Sequence, residues 1–252
     1  MSISTPEELA AMRAAGRIVR LMLDAMKAAT HSGVTTAELD RIGSDVMIGH
    51  GAVSGPTIVY NFPGVSCISV NDEIVHGIPS SRKLRNGDLL KLDVTIQKDG
   101  YMADAAETVI VGETPGTAPS ALGHRLAASA QRAFEQAMKV ARAGNRVQAI
   151  GLAVERQVKA DGFHVIRDLC GHGIGHTIHE KPSVPNWPDP SASTVLTEGL
   201  VITVEPIIAS KSGRSILARD GWTVRTADRG LAAHYEHTLV ITSGEPMLLT
   251  AA

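Results

Sequence analysis

The apolar residues near the start of the chain recur at helical spacing. Leu9 and Met22 belong to a stripe in which hydrophobic side chains return every three or four residues. Thr5 precedes this stripe, and Glu8 follows Thr5 by three positions, an arrangement typical of a capping box at a helix start. The pattern therefore predicts a helix from Thr5 to about Thr30.

Three further segments have helical character. One begins at Thr35 or Thr36 and runs to about Ile48, where a Gly-His-Gly sequence ends it. Two alanine-rich segments, residues 120–143 and 147–161, are predicted as helices separated by a Gly-Asn pair. The helices are thus expected in two pairs.

The middle of the chain changes to strand-like patterns between Gly and Pro turns. Residues 57–60 and 67–70 are short runs rich in β-branched and apolar side chains, which is typical of strands. Residues 89–97 and 101–111 flank Lys-Asp-Gly, a strong hairpin signal. Strand-like runs return at residues 200–209, 221–226 and 235–242.

The elements follow one order twice. Two helices precede strands in each half of the chain, and a Gly/Pro/Thr-rich linker at residues 112–119 separates the halves. This order predicts an α+β architecture in one domain over residues 1–252. Its two halves, about 1–115 and 116–252, are expected to face each other and to place a site between them.

The composition is that of an ordinary soluble globular protein, with 44% hydrophobic and 20% charged residues. A formal net charge of -2 provides no basic field to hold nucleic acid or an anionic membrane. Cys67 and Cys170 are the only cysteines, which favours a reducing compartment. The first residues lack the basic start and apolar stretch of a secretory signal. We therefore expect a cytoplasmic protein without nucleic-acid or membrane partners.

Two aspartates occupy opposite arms of the predicted hairpin. Asp93 lies in the first arm and Asp104 in the second, and side chains alternate between the faces of a strand. If the connecting loop holds an even number of residues, both carboxylates point to the same face and repel each other. A cation between them would convert that repulsion into binding. A solvated pair on an exposed face is the alternative.

Two glutamates adjoin otherwise apolar strand-like runs. Glu205 ends the run that begins at Leu200, and Glu236 precedes the run that reaches Ile241. An acid in such a place is costly unless it is paired, protonated or bound to a metal. Edge-strand glutamates that face water are the alternative, but two of them beside an aspartate pair favour a metal site.

One histidine, His172, is surrounded by glycines within residues 170–176. Glycine permits close backbone approach and unusual dihedral angles. We therefore expect His172 to lie in a site loop rather than in a helix or a regular strand. His179 follows shortly afterwards, and His76 lies in the segment 71–79.

Charge balance sharpens the metal hypothesis. The two aspartates and two glutamates carry four negative charges, which two divalent cations would cancel. Such an oxygen-rich set with one imidazole suits Mn, Fe(II), Co or Zn better than it suits a thiolate-type structural zinc site. Two cations sharing bridging carboxylates would lower the pKa of a water between them and polarise a carbonyl.

Taken together, these residues resemble a type I methionine aminopeptidase. The similarity extends along nearly the whole chain, with the motifs in the family's order and spacing. The resemblance implies the pita-bread fold, in which two pseudo-symmetric halves share a central antiparallel sheet covered by helices. The matching segments are NDEIVHGIP (71–79), GDLLKLDVTIQKDGY (87–101) with Asp104 beyond it, CGHGIGHTIHE (170–180), GLVITVEP (199–206) and residues 220–238.

The resemblance implies a set of metal ligands at matching positions. Asp104 and Glu236 match the family's two bridging carboxylates, and Glu205 also matches the residue that accepts a proton from the attacking water. The full set of five implied ligands is Asp93, Asp104, His172, Glu205 and Glu236.

The same mapping implies a substrate site. His76 and His179 match two histidines that do not bind metal but contact the scissile amide and stabilise the tetrahedral intermediate, a role that positioned donors serve. A methionine side chain suits contacts to aromatic rings and a thiol. Its pocket is expected at four positions, for which plain core is the alternative: Tyr60, Phe62, Cys67 and Trp222.

Four positions depart from the common family pattern. Tyr60 stands where many members have histidine, and Leu169 stands where many have an aromatic residue. Ile178 replaces a common phenylalanine, and His234 replaces a common glutamine near Glu236. None of these departures removes a ligand, so they concern the shape of the pocket and the tolerance for the second substrate residue.

The resemblance implies a metalloaminopeptidase that removes the initiator methionine from nascent proteins when the second residue is small. It implies two divalent ions per chain (Co, Mn, Fe(II) or Zn) and a peptide or nascent-protein N-terminus as partner. A nascent-protein substrate leads us to expect transient ribosome contact, and because nothing in the sequence demands a dimer, we expect a monomer. The alternatives are another enzyme of the same fold, such as aminopeptidase P or prolidase, which usually carry an additional N-terminal domain, and a non-catalytic relative, which typically lacks metal ligands.

Overall fold

The computed structural model describes residues 1–112 and 121–251. The helices of this part of the chain are α1 (Pro6–Ala28), α2 (Thr36–Gly49), α3 (Gly55–Tyr60), α4 (Ala121–Met138) and α5 (Val147–Ala160). Its strands are β1 (Val53–Ser54), β2 (Cys67–Val70), β3 (Glu73–Val75), β4 (Leu89–Lys98), β5 (Tyr101–Ile110), β6 (His164–Val165), β7 (Gly171–Gly173), β8 (Glu180–Val184), β9 (Val201–Val204), β10 (Ile207–Ala209), β11 (Ser215–Leu217), β12 (Val224–Thr226), β13 (Ala232–His234), β14 (Glu236–Val240) and β15 (Met247–Leu248).

The predicted helix starts are confirmed where capping chemistry marks them. Thr5 caps α1 and exchanges hydrogen bonds with Glu8, and Thr35 does the same with Glu38 at the start of α2. Both are capping boxes, which satisfy backbone donors that the first helical turn leaves unpaired. None of the helices in the described ranges is long and apolar enough to cross a membrane.

The prediction of a strand at residues 57–60 is wrong, because this segment forms the short helix α3. The Ser54 hydroxyl accepts a hydrogen bond from the Thr57 amide at 3.3 Å, and Pro56 lies in the first turn. Asn61 ends the helix in the left-handed conformation, with φ 58°. Ile58 is 51% exposed, so its β-branched side chain gains no burial against a sheet face. Local capping by Ser54 therefore favours the helix.

A central antiparallel sheet joins strands from both parts of the chain. Its order is β1-β4-β5-β14-β9-β7-β8, with β2 also paired to β4 and β15 to β14. The β5–β14 pairing connects the early strands to the late ones. Two three-stranded sheets accompany it within the described residues, β13-β10-β6 and β11-β12-β3.

The hairpin of β4 and β5 is confirmed, and its turn settles where the aspartates point. Asp99 and Gly100 form a two-residue connection with φ of 50° and 85°, the positive values of a type I′ turn. Asp104 pairs with Thr95, two positions beyond Asp93 on β4. Because side chains alternate along a strand, Asp93 and Asp104 lie on the same face as diagonal neighbours.

Helices cover the other face of this sheet. In the first half, the alternate residues Leu90, Leu92, Val94 and Ile96 of β4 join a buried cluster with the apolar faces of α1 and α2. In the second half, a separate cluster combines α4 and α5 with β9 and β14. Apolar burial thus fixes one face of the sheet against helices and leaves its opposite face to carry polar side chains.

The architecture confirms the predicted α+β class with a helix-covered antiparallel sheet. Most of the predicted linker at residues 112–119, and the border between the proposed halves near residue 115, lie outside the described residues. The assignment of residues 1–252 to a single domain stays a prediction.

Candidate active site

Every residue that the sequence predicts for the site lines one cavity of about 390 Å³. The cavity opens between β4, β5 and the late strands, on the face of the central sheet that the helices leave free. The four positions that depart from the family pattern also line it: Tyr60, Leu169, Ile178 and His234. The predicted residues found there are Tyr60, Phe62, Cys67, His76, Asp93, Asp104, His172, His179, Glu205, Trp222 and Glu236.

Glu205 and Glu236 lie where the chain passes between the central sheet and a small sheet. The run predicted at residues 200–209 divides into β9 in the central sheet and β10 in a small sheet, with Glu205-Pro206 between them. The run at 235–242 begins only at Glu236, where β14 follows β13. Pairing of β9 with β14 and of β10 with β13 keeps one register across both breaks, which sets Glu205 opposite Glu236.

Threonine hydroxyls hold the acidic residues in position. The Thr203 hydroxyl donates to Glu205 Oε1 at 3.0 Å and accepts from the His172 amide at 3.0 Å. Thr238 accepts from the Asp104 amide at 2.9 Å and donates to the Asp104 carbonyl at 2.8 Å. Each hydroxyl thus connects two strands that carry cluster residues.

His172 lies in the short strand β7, so the prediction of a loop at this residue is wrong. A bulge follows His172 in the β7–β8 pairing. A Cβ on Gly171 would lie 2.6 Å from the Thr203 carbonyl oxygen, and one on Gly173 would lie 2.3 Å from that of Lys181. The glycines therefore permit close approach, as predicted, but they do so within a sheet.

A backbone carbonyl orients the His172 ring. Its Nδ1 lies 3.0 Å from the Gly173 carbonyl oxygen, which can only accept, so Nδ1 carries the proton. Nε2 is left with a free lone pair and faces Glu205 Oε1 at 3.5 Å. This is the arrangement in which histidine binds a metal through Nε2.

The four carboxyl groups of the cluster resist ionisation together. Loss of solvation, followed by the charge of Asp104, raises the pKa of Asp93 to about 7. Burial and then a neighbouring carboxylate hold the pKa values of Asp104, Glu205 and Glu236 well above their usual range. Like charges this close to one another need protons or cations to balance them.

Burial acts in the opposite direction on the histidines. It lowers the pKa of His76 to about 4, of His172 to about 3 and of His234 to about 4, and it lowers the pKa of His179 as well. The imidazoles are therefore neutral near pH 7, the form that binds metals and that offers both a donor and an acceptor.

The unpaired atoms of the cluster fit a metal centre. Asp104 Oδ1 and Glu236 Oε1 are buried without a hydrogen-bond partner among the described residues. Asp104, His172 and Glu236 offer ligand atoms that all lie within 4.8 Å of one another, and so do Glu205, His234 and Glu236. Carboxylate oxygens and imidazole nitrogens are ligands that suit Mn, Fe, Co and Zn.

His234 is the member of this cluster for which the sequence predicted no ligand or catalytic role. It precedes Glu236 by two positions and lies on the same side of the strand pair, opposite Ile207. The alternation of His234 and Glu236 at strand spacing is the signal that could have placed it in the site. Its Nε2 lies 3.4 Å from Glu236 Oε2.

The wall beside the cluster is aromatic and apolar. The rings of Phe62 and Trp222 meet edge to face, with their centroids 5.2 Å apart. Cys67 is buried next to them, and burial followed by the charge of Asp93 raises the pKa of its thiol well above the usual value. The thiol therefore stays neutral and adds a soft apolar surface.

Two non-cluster histidines line the same cavity. The His179 ring packs at 4.3 Å, centroid to centroid, against that of His172, and its Nδ1 is hydrogen-bonded to the Tyr60 hydroxyl. His76 has φ 58°, a left-handed backbone conformation that is uncommon for a residue with a side chain. Strain of this kind is typically found at functional sites.

A buried group of carboxylates and neutral imidazoles beside an apolar pocket defines a metal-dependent hydrolase. The chain belongs to metallopeptidase family M24, whose sequence model matches residues 10–243. It is 41% identical to "Methionine aminopeptidase 2" of Bacillus subtilis over 99% of both chains.

Solved structures agree with this assignment. The methionine aminopeptidase of Thermotoga maritima superposes with a TM-score of 0.94 at 32% identity over the whole of both chains. A prolidase from Pyrococcus furiosus, at 22% identity and a TM-score of 0.76, shares the fold alone, and 65% of its chain is covered. The predicted pita-bread fold is therefore confirmed.

Proposed function

We propose that this protein is a methionine aminopeptidase that removes the initiator methionine from protein N-termini whose second residue is small. The observation that carries the proposal is that one cavity is lined by two features: the carboxylate–imidazole cluster and the apolar wall of Phe62, Cys67 and Trp222. The end-to-end similarity to proteins named methionine aminopeptidase supports it.

The residues proposed to hold two divalent ions (Co, Mn, Fe(II) or Zn) are Asp93, Asp104, His172, Glu205 and Glu236, of which Asp104 and Glu236 would be shared between the ions. Divalent cations bound there supply Lewis acidity, which lowers the pKa of a water and polarises a carbonyl. Glu236 belongs to both groups of residues whose ligand atoms converge, which supports a two-ion site.

In this proposal Glu205 accepts the proton of the attacking water. The Thr203 hydroxyl donates to Glu205 Oε1 and so fixes the carboxylate in one orientation. The other oxygen, Oε2, faces the cluster interior, 3.7 Å from His234 Nε2. A carboxylate held in this way is positioned for general-base catalysis.

His76 and His179 are proposed to contact the scissile amide. Burial raises the pKa of Tyr60, so its hydroxyl keeps its proton and can donate to His179 Nδ1. The neutral His179 ring then carries its own proton on Nε2. That N–H can donate to the oxygen that develops negative charge in the transition state.

The methionine side chain is proposed to lie against Tyr60, Phe62, Cys67 and Trp222. An unbranched thioether makes favourable contacts with aromatic edges and with a thiol. A charged or branched side chain would match this wall less well, because the wall offers apolar surface and a neutral thiol.

We further propose a cytoplasmic monomer that acts on nascent chains through transient ribosome contact. The net charge of -2 provides no basic field for stable binding to nucleic acid. Sedimentation of the purified chain tests the monomer.

Peptide hydrolysis tests the proposed activity. Purified protein supplied in turn with Mn, Fe(II), Co and Zn is expected to cleave Met-Ala-Ser and to leave Ala-Pro and Xaa-Pro substrates intact. Met-Leu-Ser is expected to react at least about tenfold more slowly than Met-Ala-Ser, because a larger second residue fits poorly. If Met-Ala-Ser is cleaved with none of the four metals, the proposal is refuted. Preferred cleavage of Xaa-Pro would favour a prolidase-like enzyme.

A further inference from the structure

His234 lies inside the carboxylate cluster with both ring nitrogens unpaired. The residue is 2% exposed, and neither Nδ1 nor Nε2 has a hydrogen-bond partner among the described residues. A buried polar group without a partner costs free energy that a ligand could recover. The position of this imidazole therefore points to a ligand within the cavity.

The distances around Nε2 are close to those between two atoms bound to one cation. His234 Nε2 lies 3.4 Å from Glu236 Oε2 and 3.7 Å from Glu205 Oε2. Ligand atoms at about 2.1 Å from a cation, in tetrahedral or octahedral geometry, lie about 3.0 to 3.4 Å from their neighbours. Only a few tenths of an ångström separate the observed spacing from this requirement.

The strand pairing places His234 there independently of its rotamer. His234 pairs with Ile207, and the same register sets Glu236 opposite Glu205. Directly opposed residues of an antiparallel pair share a face. The register is unchanged across the break between β13 and β14, and His234, like both glutamates, lines the cavity. The backbone that directs the two glutamates into the cavity therefore directs His234 there as well.

We propose that His234 is an additional metal ligand, which binds the second cation of the pair through Nε2. The inference rests on the proposed two-ion site. In this arrangement Asp104, His172 and Glu236 converge on one position, and Glu205, His234 and Glu236 converge on the other. Each cation would then have one imidazole nitrogen, and Glu236, one of the two proposed bridging carboxylates, belongs to both groups.

A nitrogen ligand at each position changes which metals the site prefers. Imidazole suits Co, Zn and Fe, whereas a position with oxygen ligands alone suits Mn and Mg. The second cation is therefore expected to bind more tightly, with a stronger preference for Co or Zn over Mn, than it would without His234.

Cobalt titration with His234→Gln tests the inference. Metal-free wild type and variant are titrated anaerobically with Co(II) and followed by calorimetry and visible absorption. His237→Gln is the matched control, because His237 is also buried, on the following strand β14, but bonds to Thr250 and Tyr235 outside the cavity. We expect His234→Gln to weaken the second Co(II) binding step by about tenfold or more, and His237→Gln to leave both steps unchanged.

The wild-type protein gives a second readout that needs no variant. Proton NMR of the Co(II) form is expected to show paramagnetically shifted imidazole signals from two histidines, His172 and His234. Signals from one histidine, or unchanged binding in His234→Gln, would overturn this inference and leave the two-ion site intact. A wild type that takes up no Co(II) would refute the metal site itself and this inference with it.

Discussion

At the scale of single residues, two histidines whose rings pack edge to face, His172 and His179, are assigned different roles. Their rings lie 4.3 Å apart, centroid to centroid, yet their other contacts differ. His172 directs Nε2 at Glu205, whereas His179 is hydrogen-bonded through Nδ1 to the Tyr60 hydroxyl at the cavity mouth. A metal-binding role suits the first and a substrate-contacting role suits the second.

Paired alanine substitutions separate these two roles. His179→Ala is expected to lower turnover about tenfold or more while leaving metal content near that of the wild type, because only a transition-state donor is lost. His172→Ala should lose metal as well as activity, because it removes a ligand. Metal analysis after gel filtration, with turnover of Met-Ala-Ser, measures both. An equal metal loss in the two variants would contradict the assignment of His179.

The acidic residues of the site could be predicted because each one breaks an apolar strand pattern. Glu205 and Glu236 interrupt runs that otherwise belong to the core, and Asp93 occupies the polar phase of β4. His234 was not predicted as a ligand because histidine near a strand is compatible with packing, hydrogen bonding or coordination. Only the strand register, which depends on contacts between distant segments, brings His234 to Glu205.

At the scale of elements, strand β4 shows how far a two-residue period determines structure. Leu90, Leu92 and Val94 enter the helix-covered core, while Lys91 and Asp93 point to the opposite face. This alternation is visible in the sequence, so the hairpin and the shared face of the aspartates were predictable. Helix α3 was not predictable in this way, because capping by Ser54 favours a helix whereas the β-branched residues favour a strand. Which of the two forms depends on the tertiary context.

Lys91 is the costly residue of β4. It is 1% exposed, and its Nζ donates to the Asn71 carbonyl at 2.9 Å and to the Leu89 carbonyl at 3.3 Å. Burial lowers the pKa of Lys91 to about 7 from an ordinary value of 10.5. Between these values the unfolded chain holds a proton that the folded chain does not.

The consequence is a free energy of unfolding whose Lys91 contribution rises with pH from about 7 to 10.5, at about 1.4 kcal/mol per pH unit. Lys91→Met should remove this slope, so its stability relative to wild type is greatest at pH 7 and declines as pH rises. Both carbonyls keep another donor, from Ala232 and Asn71, respectively. Urea unfolding between pH 7 and 9.5 measures the difference.

Lys83→Met, at an exposed lysine, is the matched control for loss of a positive charge. It should track the wild type at every pH. A Lys91→Met variant whose stability runs parallel to wild type across this range would show that Lys91 is charged in the folded protein.

At the scale of the whole molecule, the site joins elements that are far apart in the sequence. Asp93 and Asp104 lie on β4 and β5, and His172 lies on β7. Glu205 lies between β9 and β10, opposite Glu236 at the start of β14. The helix-covered faces are stabilised by apolar burial, whereas the site side concentrates carboxyl groups. The strand patterns indicate both faces in the sequence, but the change of sheet at Glu205-Pro206 depends on pairing with a distant segment, β13 and β14.

This arrangement makes the stability of the metal-free protein fall as pH rises. The pKa of Asp93 is raised to about 7 in the fold, whereas an unfolded aspartate titrates near 3.8, so the folded chain holds the extra proton between these values. Raised pKa values of Asp104, Glu205 and Glu236 act in the same direction. Bound cations would replace those protons and remove the repulsion.

Metal removal is therefore expected to lower Tm more at pH 8 than at pH 5.5. At a metal concentration of about 100 times Kd, binding contributes about 2.7 kcal/mol, which corresponds to roughly 5 to 10 °C for a domain of this size. Calorimetric scans of metal-loaded and chelated protein at the two pH values measure the effect. Asp93→Asn should reduce the pH dependence of the chelated form, because it removes one of the charges that repel. An equal loss of Tm at both pH values would mean that the carboxyl groups do not share a cation, since protons and metal would then not compete for the same oxygens.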